Sequence, residues 1–90
     1  MTTQNVIGES LRRMRENRGF TQDQLAGACQ RRGWDVSRVT LAKIETGSRA
    51  VNDGEIIVLA AVMKCVPGDL LNNLRVGNAI KVVRQGRSNG

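Results

Sequence analysis

The clearest structural signal in this sequence is the start of a helix at Thr21. Gln24 follows three residues later, and this spacing forms a capping box in which each side chain accepts a hydrogen bond from the other residue's backbone N–H. Phe20 and Leu25 flank the box and are spaced as a hydrophobic staple, which fixes how the chain enters the helix. Gly33 predicts the end of this helix, because glycine adopts the left-handed stop without strain. A helix marked at both ends favours a helical fold for the chain.

Three more helices are predicted from apolar residues at helical spacing and from residues typical of helix starts. The first spans about residues 5–18 and has one apolar face. Another begins after Asn52, whose capping-box partner is Glu55, and it contains the longest apolar run, Ile56 to Met63. The last begins at Pro67, since proline is favoured at the first helical position. Its apolar face consists of Leu70, Leu71 and Leu74.

The segment from Ser37 to Gly47 is predicted to form a short helix with two different faces. Ser37 is suited to cap its start and Gly47 to end it. Leu41 and Ile44, together with Val36, form a narrow apolar stripe. The residues off the stripe are small or basic: Arg38, Val39, Ala42, Lys43 and Thr46. Such a helix suits a reader of the DNA major groove, but an ordinary surface helix also has a charged outer face.

Length and charge narrow the class of protein. A chain of 90 residues forms one domain with a small core. Its net charge of +6 favours a polyanionic partner, nucleic acid before a membrane surface, although a merely soluble basic protein is the alternative. The longest apolar run is far shorter than the roughly 20 residues of a membrane span. Residues 1–5 are polar and show no signal-peptide pattern, so we expect a cytoplasmic protein.

Catalysis is not expected from this composition. The chain has no histidine, and so lacks both the commonest general base and imidazole metal ligands. Its two cysteines, Cys29 and Cys65, lie among apolar neighbours and are expected to be buried reduced thiols, with a redox pair as the alternative. Asp53 and Glu55 are explained by the helix start that they flank. We therefore expect no enzyme, no cofactor and no metal.

Two motifs and the order of the helices resemble the phage-repressor and Cro type of helix-turn-helix protein, the XRE-like family. The motifs are Thr21-Gln22-Asp23-Gln24-Leu25 and Ile44-Glu45-Thr46-Gly47, within a similarity that covers roughly residues 6–74. The resemblance implies an all-α, compact five-helix repressor-like domain over residues 1–74. Residues 75–90 form a basic tail, for which disorder, a short strand over Ala79 to Val83 or a dimer contact are all open.

The resemblance also implies roles for individual residues. Gln22 bonds a phosphate, the recognition helix faces the groove, and the loop after that helix contacts phosphates. The residues that it assigns to DNA binding are Gln22, Ser37, Arg38, Val39, Thr40, Lys43, Ser48 and Arg49. Arg15 and Glu45 form a structural ion pair, which matches the need of Arg15, beside an apolar stripe, for a carboxylate partner.

The sequence departs from the family pattern at two places. The span from Ala26 to Ser37 is longer than the family's usual connection, and we expect an extra turn of the second helix and a loop held by Trp34. Lys64 stands where the family favours a glycine-like helix stop, which predicts a local cost.

These observations predict a sequence-specific regulator of transcription that binds double-stranded DNA, acting as a repressor and a homodimer. The leucines of the fifth helix, with the tail, are the candidate dimer interface, although they fit an intramolecular core equally well. The alternative function is a protein-interaction module of the same fold, such as an antitoxin or a subunit that binds another regulator. The phage, restriction–modification and toxin–antitoxin settings all remain open.

Overall fold

The structure, a computed structural model, describes residues 3–72 and 74–87. Over these residues the chain is all-helical, with six helices and no strand. The helices are α1 (Gly8–Asn17), α2 (Gln22–Arg31), α3 (Arg38–Glu45), α4 (Asp53–Val62), α5 (Pro67–Leu70) and α6 (Val76–Arg87). The all-α fold class expected from the sequence is confirmed, with one helix more than expected. No helix among the described residues is long and apolar enough to cross a membrane.

One hydrophobic core joins α1 to α5. Each of these helices contributes a leucine with no exposed surface: Leu11, Leu25, Leu41, Leu59 and Leu70. α1 lies directly on the last turn of α3, because a Cβ atom at Gly8 would lie only 2.5 Å from the carbonyl oxygen of Ile44. The inner side of α3 is therefore fixed both by buried side chains and by close backbone packing.

Four helices end in the same way. After α1, α2, α3 and α4, the residue following the C-cap has a positive φ: Gly19, Gly33, Gly47 and Lys64. At the end of α4 the Cys65 N–H donates to the Ala60 carbonyl at 2.9 Å, which is the bond typical of this stop. Lys64 has a φ of 57°, a conformation that L-residues with a side chain adopt at a cost. Lys64 is thus the site of the local cost that the sequence predicted.

The connection between α2 and α3 is held at several points. Trp34 is half-buried against the core, and the valine that precedes the cap of α3, Val36, is 2 % exposed. Gln30 Nε2 on α2 donates to the Val36 carbonyl at 2.9 Å. Since an aromatic ring, a buried valine and a side-chain amide all fix it, this longer connection gives α3 a defined position relative to α2.

The C-terminal part differs from what the sequence predicted. α5 is a single turn, so that Leu70 is buried but Leu71 lies beyond the helix and is 44 % exposed. The segment considered for disorder or a short strand forms α6 instead, because its apolar residues recur at helical spacing. These residues are Val76, Ile80 and Val83. Residues 1, 2, 73 and 88–90 of the predicted domain and tail lie outside the described residues.

Candidate nucleic-acid interface

α3 turns one side to the core and the opposite side to solvent. Leu41 and Ile44 have no exposed surface, whereas Arg38 and Lys43 are exposed. Val39 lies on the outer side as well and is 53 % exposed in spite of its apolar side chain. The structure therefore brings the two cations and a valine together on the accessible face of one short helix.

The start of α3 is fixed by two hydroxyls. Ser37 Oγ accepts a hydrogen bond from the Thr40 backbone N–H at 3.1 Å, which caps the helix. The same Oγ donates to Thr40 Oγ1 at 3.1 Å. Ser37 is exposed and Thr40 half-buried. Both predicted site residues thus lie at the helix start, where they hold the turn that carries Arg38.

The end of α3 is tied to α1 by an ion pair. Arg15 Nε donates to Glu45 Oε2 at 2.6 Å, and Arg15 Nη2 donates to Glu45 Oε1 at 3.2 Å. Their side chains are 11 % and 3 % exposed. The hydrogen bond to Glu45 raises the pKa of Arg15 above its ordinary value, although burial opposes this. Arg15 Nη1 also donates to the Phe20 carbonyl at 2.8 Å, so the pair joins three segments.

Gln22 lies in the same cluster. Its Nε2 donates to Glu45 Oε1 at 3.0 Å, and its side chain is half-buried. The predicted capping box before it is present, with Thr21 and Gln24 bonded in both directions. The first turn of α2 is therefore fixed to the last turn of α3, and one N–H of the Gln22 amide is used within the protein.

The loop after α3 places its two predicted residues differently. Ser48 is exposed and its Oγ donates to the Lys43 carbonyl at 3.2 Å, beside the last turn of α3. Arg49 forms a bidentate pair with Glu55, at 2.9 and 3.1 Å. Burial of Glu55 opposes its ionisation, but hydrogen bonds from Arg49 and from the Asn52 N–H outweigh burial and lower its pKa. The charge of Arg49 is therefore balanced within the protein.

Sequence reasoning missed Asn5, which is 5 % exposed. Its Oδ1 accepts hydrogen bonds from the N–H groups of Ile7 and Gly8 at 3.0 and 2.8 Å, so its side chain caps the start of α1 from three residues before the helix begins. Its Nδ2 donates to the carbonyls of Ile44 and Arg49 at 3.0 and 2.8 Å. One amide thus joins the start of α1 to both sides of the turn after α3. The only sequence signal was an asparagine at the start of an amphipathic helix.

Sequence reasoning also missed that Asp23 is a neighbour of α3. Its Oδ1 lies 3.6 Å from Arg38 Nε, and the two side chains are 79 % and 56 % exposed. Asp23 belongs to the first turn of α2, and Arg38 is the first residue of α3. The cation predicted to read bases is therefore already beside a carboxylate.

The cysteines give the described part of the chain little reactive chemistry. Cys29 and Cys65 are free, the first buried and the second half-buried. Burial raises the pKa of the Cys29 thiol to about 11, which keeps it protonated near neutral pH. Between residues 3 and 87, leaving residue 73 aside, no group of acidic, histidine or cysteine side chains is arranged to hold a metal ion.

The chain matches a known protein family. A family model described as "Helix-turn-helix domain" matches residues 6–74, which is more than half of the chain and includes α1 to α5. No curated protein and no solved structure matches the chain.

Proposed function

The chain belongs to the helix-turn-helix domain family, and from this premise we propose that it is a sequence-specific, double-stranded-DNA-binding regulator of transcription. The observation that carries the proposal is that α3 has one buried side and one exposed side. Leu41 and Ile44 anchor one side of it in the core, while Arg38 and Lys43 stay accessible on the other. In this proposal α3 enters the major groove, as the second helix of the motif does in such proteins.

The exposed side chains of α3 suit base recognition. The Arg38 guanidinium can donate two parallel hydrogen bonds to O6 and N7 of guanine, the commonest specific contact in the major groove. Val39 can lie against a thymine methyl group, and Lys43 can donate to guanine or to a phosphate. Ser37 and Thr40, at the helix start, lie where a backbone or base-edge contact would be made.

Phosphate contacts fall to the residues around α3. Gln22 has a second amide N–H besides the one that donates to Glu45, and we assign this N–H to a phosphate. Ser48 is exposed at the end of α3 and can take the same role once its one hydroxyl hydrogen turns from the Lys43 carbonyl to the phosphate. Arg49 is a weaker candidate, because its guanidinium is held by Glu55 and by the Ala50 carbonyl.

The proposal includes a homodimer that acts as a repressor in the cytoplasm. Large apolar side chains are exposed on α4 and α6 and at the two ends of α5, and a contact between two copies of the chain would remove such side chains from water. They are Ile57, Val66, Leu71, Val76, Ile80 and Val83. A dimer would place two copies of α3 on half-sites about 34 Å apart along the duplex.

Selection of bound fragments from genomic DNA tests the proposal. We expect a preferred site with two-fold symmetry, and an affinity that falls steeply with salt because bound cations release counterions from DNA. Arg38→Ala is expected to cost about 1–3 kcal/mol on the selected site and to relax one base position. Arg13→Ala is the control, since Arg13 has a side-chain exposure of 65 % but lies on α1.

Two outcomes would count against this function. An equal loss by Arg38→Ala on the selected site and on random DNA would mean that Arg38 touches only phosphate. No enrichment of any sequence would reject the sequence-specific regulator as a whole.

The second candidate function is a protein-interaction module of the same fold, such as an antitoxin. The exposed apolar residues of α6 favour it, because they leave an amphipathic helix free to bind another protein. Ile80→Asp on α6 separates the two functions. Loss of binding to a different protein, with self-association and DNA binding unchanged, would support the interaction module.

A further inference from the structure

Asp23 is the only acidic side chain that the structure pairs with an outward-facing cation of α3 among the described residues. We propose that Asp23 determines specificity by positioning Arg38 for base recognition. This inference rests on the proposed DNA-binding function and adds a residue outside the recognition helix to it.

The geometry of the contact leaves the two terminal guanidinium nitrogens of Arg38 free to bind a base. The nearest atoms are Arg38 Nε and Asp23 Oδ1, at 3.6 Å, which is an ion pair rather than a hydrogen bond. The two terminal guanidinium nitrogens lie farther from the carboxylate than Nε does, and they can donate end-on to O6 and N7 of one guanine. Asp23 thus restrains the stem of the side chain without occupying its tip.

Both partners stand on fixed backbone. Asp23 lies between the capping-box residues Thr21 and Gln24, and its neighbour Gln22 is bonded to the end of α3. Arg38 follows Ser37, the side-chain cap of α3. Both side chains therefore start from a fixed backbone position, and only their rotamers can vary. The attraction between the two charges favours the rotamers in which the side chains are in contact.

Such a pair acts on recognition more than on stability. An exposed ion pair contributes little to folding. Holding a flexible side chain in place before binding removes part of its ordering cost. The gain cannot exceed the strength of the exposed pair itself, which limits it to about fivefold in affinity. The carboxylate also repels phosphates, so it lowers the affinity for random and selected DNA alike. The positioning of Arg38 is therefore the effect that raises the ratio of specific to random binding.

The test measures the dissociation constants of Asp23→Asn for the selected site and for a random duplex at one salt concentration. We expect tighter binding of random DNA and a ratio of specific to random affinity at least about threefold lower than in the wild type. Asp53→Asn is the matched control, because Asp53 is an exposed acidic residue in the first turn of α4 and the change in charge is the same. The control should leave the ratio unchanged.

A double variant separates positioning from charge alone. In an Arg38→Ala background, Asp23→Asn should not change the ratio of specific to random affinity any further. If Asp23→Asn lowers this ratio as much without Arg38 as with it, the proposal is overturned. An unchanged ratio in the single variant, with Arg38→Ala still losing site preference, would overturn it too. If the wild type itself prefers no sequence, this result rejects the proposed function, and not only the role of Asp23. Thermal unfolding checks that each variant is folded, and a merely structural role of Asp23 would move the melting temperature and not the ratio.

Discussion

Replacing Glu45 with alanine is expected to lower the free energy of unfolding by about 3–5 kcal/mol, the range for breaking one half of a buried ion pair. The Glu45 side chain is 3 % exposed and that of Arg15 is 11 % exposed, so water cannot readily replace the lost carboxylate. Arg15 would keep its bond to the Phe20 carbonyl, but Nε and Nη2 would have lost their acceptor. The Gln22 amide loses the same acceptor.

This loss is a large share of the total stability. For a domain of 90 residues the free energy of unfolding is about 5–13 kcal/mol. In a domain of this size each 1 kcal/mol shifts the melting temperature by about 4–8 °C, so Glu45→Ala should lower it by more than about 12 °C. Glu45→Gln retains one oxygen as an acceptor and should lose about half as much.

Urea unfolding followed by circular dichroism measures these differences. The control is Glu9→Ala, since Glu9 pairs with Arg13 at 3.2 Å but the two side chains are 84 % and 65 % exposed. That pair should contribute less than about 0.5 kcal/mol. The variant that lacks both Arg15 and Glu45 should lose less than the sum of the single changes, because neither partner is left unpaired. A loss below about 1 kcal/mol for Glu45→Ala would refute the role assigned to this ion pair.

Three further predictions concern stability and thiol chemistry. Lys64→Gly should raise the free energy of unfolding by about 0.5–1 kcal/mol in urea titrations, because glycine has no strain at a φ of 57°; a destabilised variant would contradict this. Because the pKa of Glu55 is lowered in the folded state, its contribution is present above its unfolded pKa of about 4.3 and is lost as pH falls through the folded value. Melting temperatures of Glu55→Gln should therefore vary less than those of the wild type between about pH 3 and 5. Alkylation of Cys29 at about pH 8, followed by mass spectrometry, should be more than about 100-fold slower in the folded chain than in urea, since burial raises its pKa to about 11; equal rates would exclude a buried thiol.

Features that depend on close neighbours in the chain were predictable from the sequence. Thr21, Ser37 and Asn52 each accept from the backbone N–H three residues on, because a cap needs only its own first turn. The outward side of α3 followed from the spacing of Leu41 and Ile44, since residues off an apolar stripe face solvent.

Features that depend on the path of the chain in space were not predictable in this way. Asn5 bonds a carbonyl 39 residues away, and Gln22 bonds a carboxylate 23 residues away. No local pattern marks such partners, because the fold alone brings them together. The same holds for Asp23 beside Arg38, which requires the first turns of two different helices to meet.

The position of Asn5 ahead of the first helix has a practical meaning for anyone who shortens or fuses this protein. A recombinant form trimmed to the start of α1 at Gly8 would remove the amide that holds the Ile44 and Arg49 carbonyls, and with it the Gln4 N–H that donates to the Gly47 carbonyl at 2.7 Å. The C-terminal end of α3 would then lose these contacts without any change to the sequence of the helix. Tags and fusion partners are therefore best joined ahead of residue 4, through a linker long enough to leave this short arm in place.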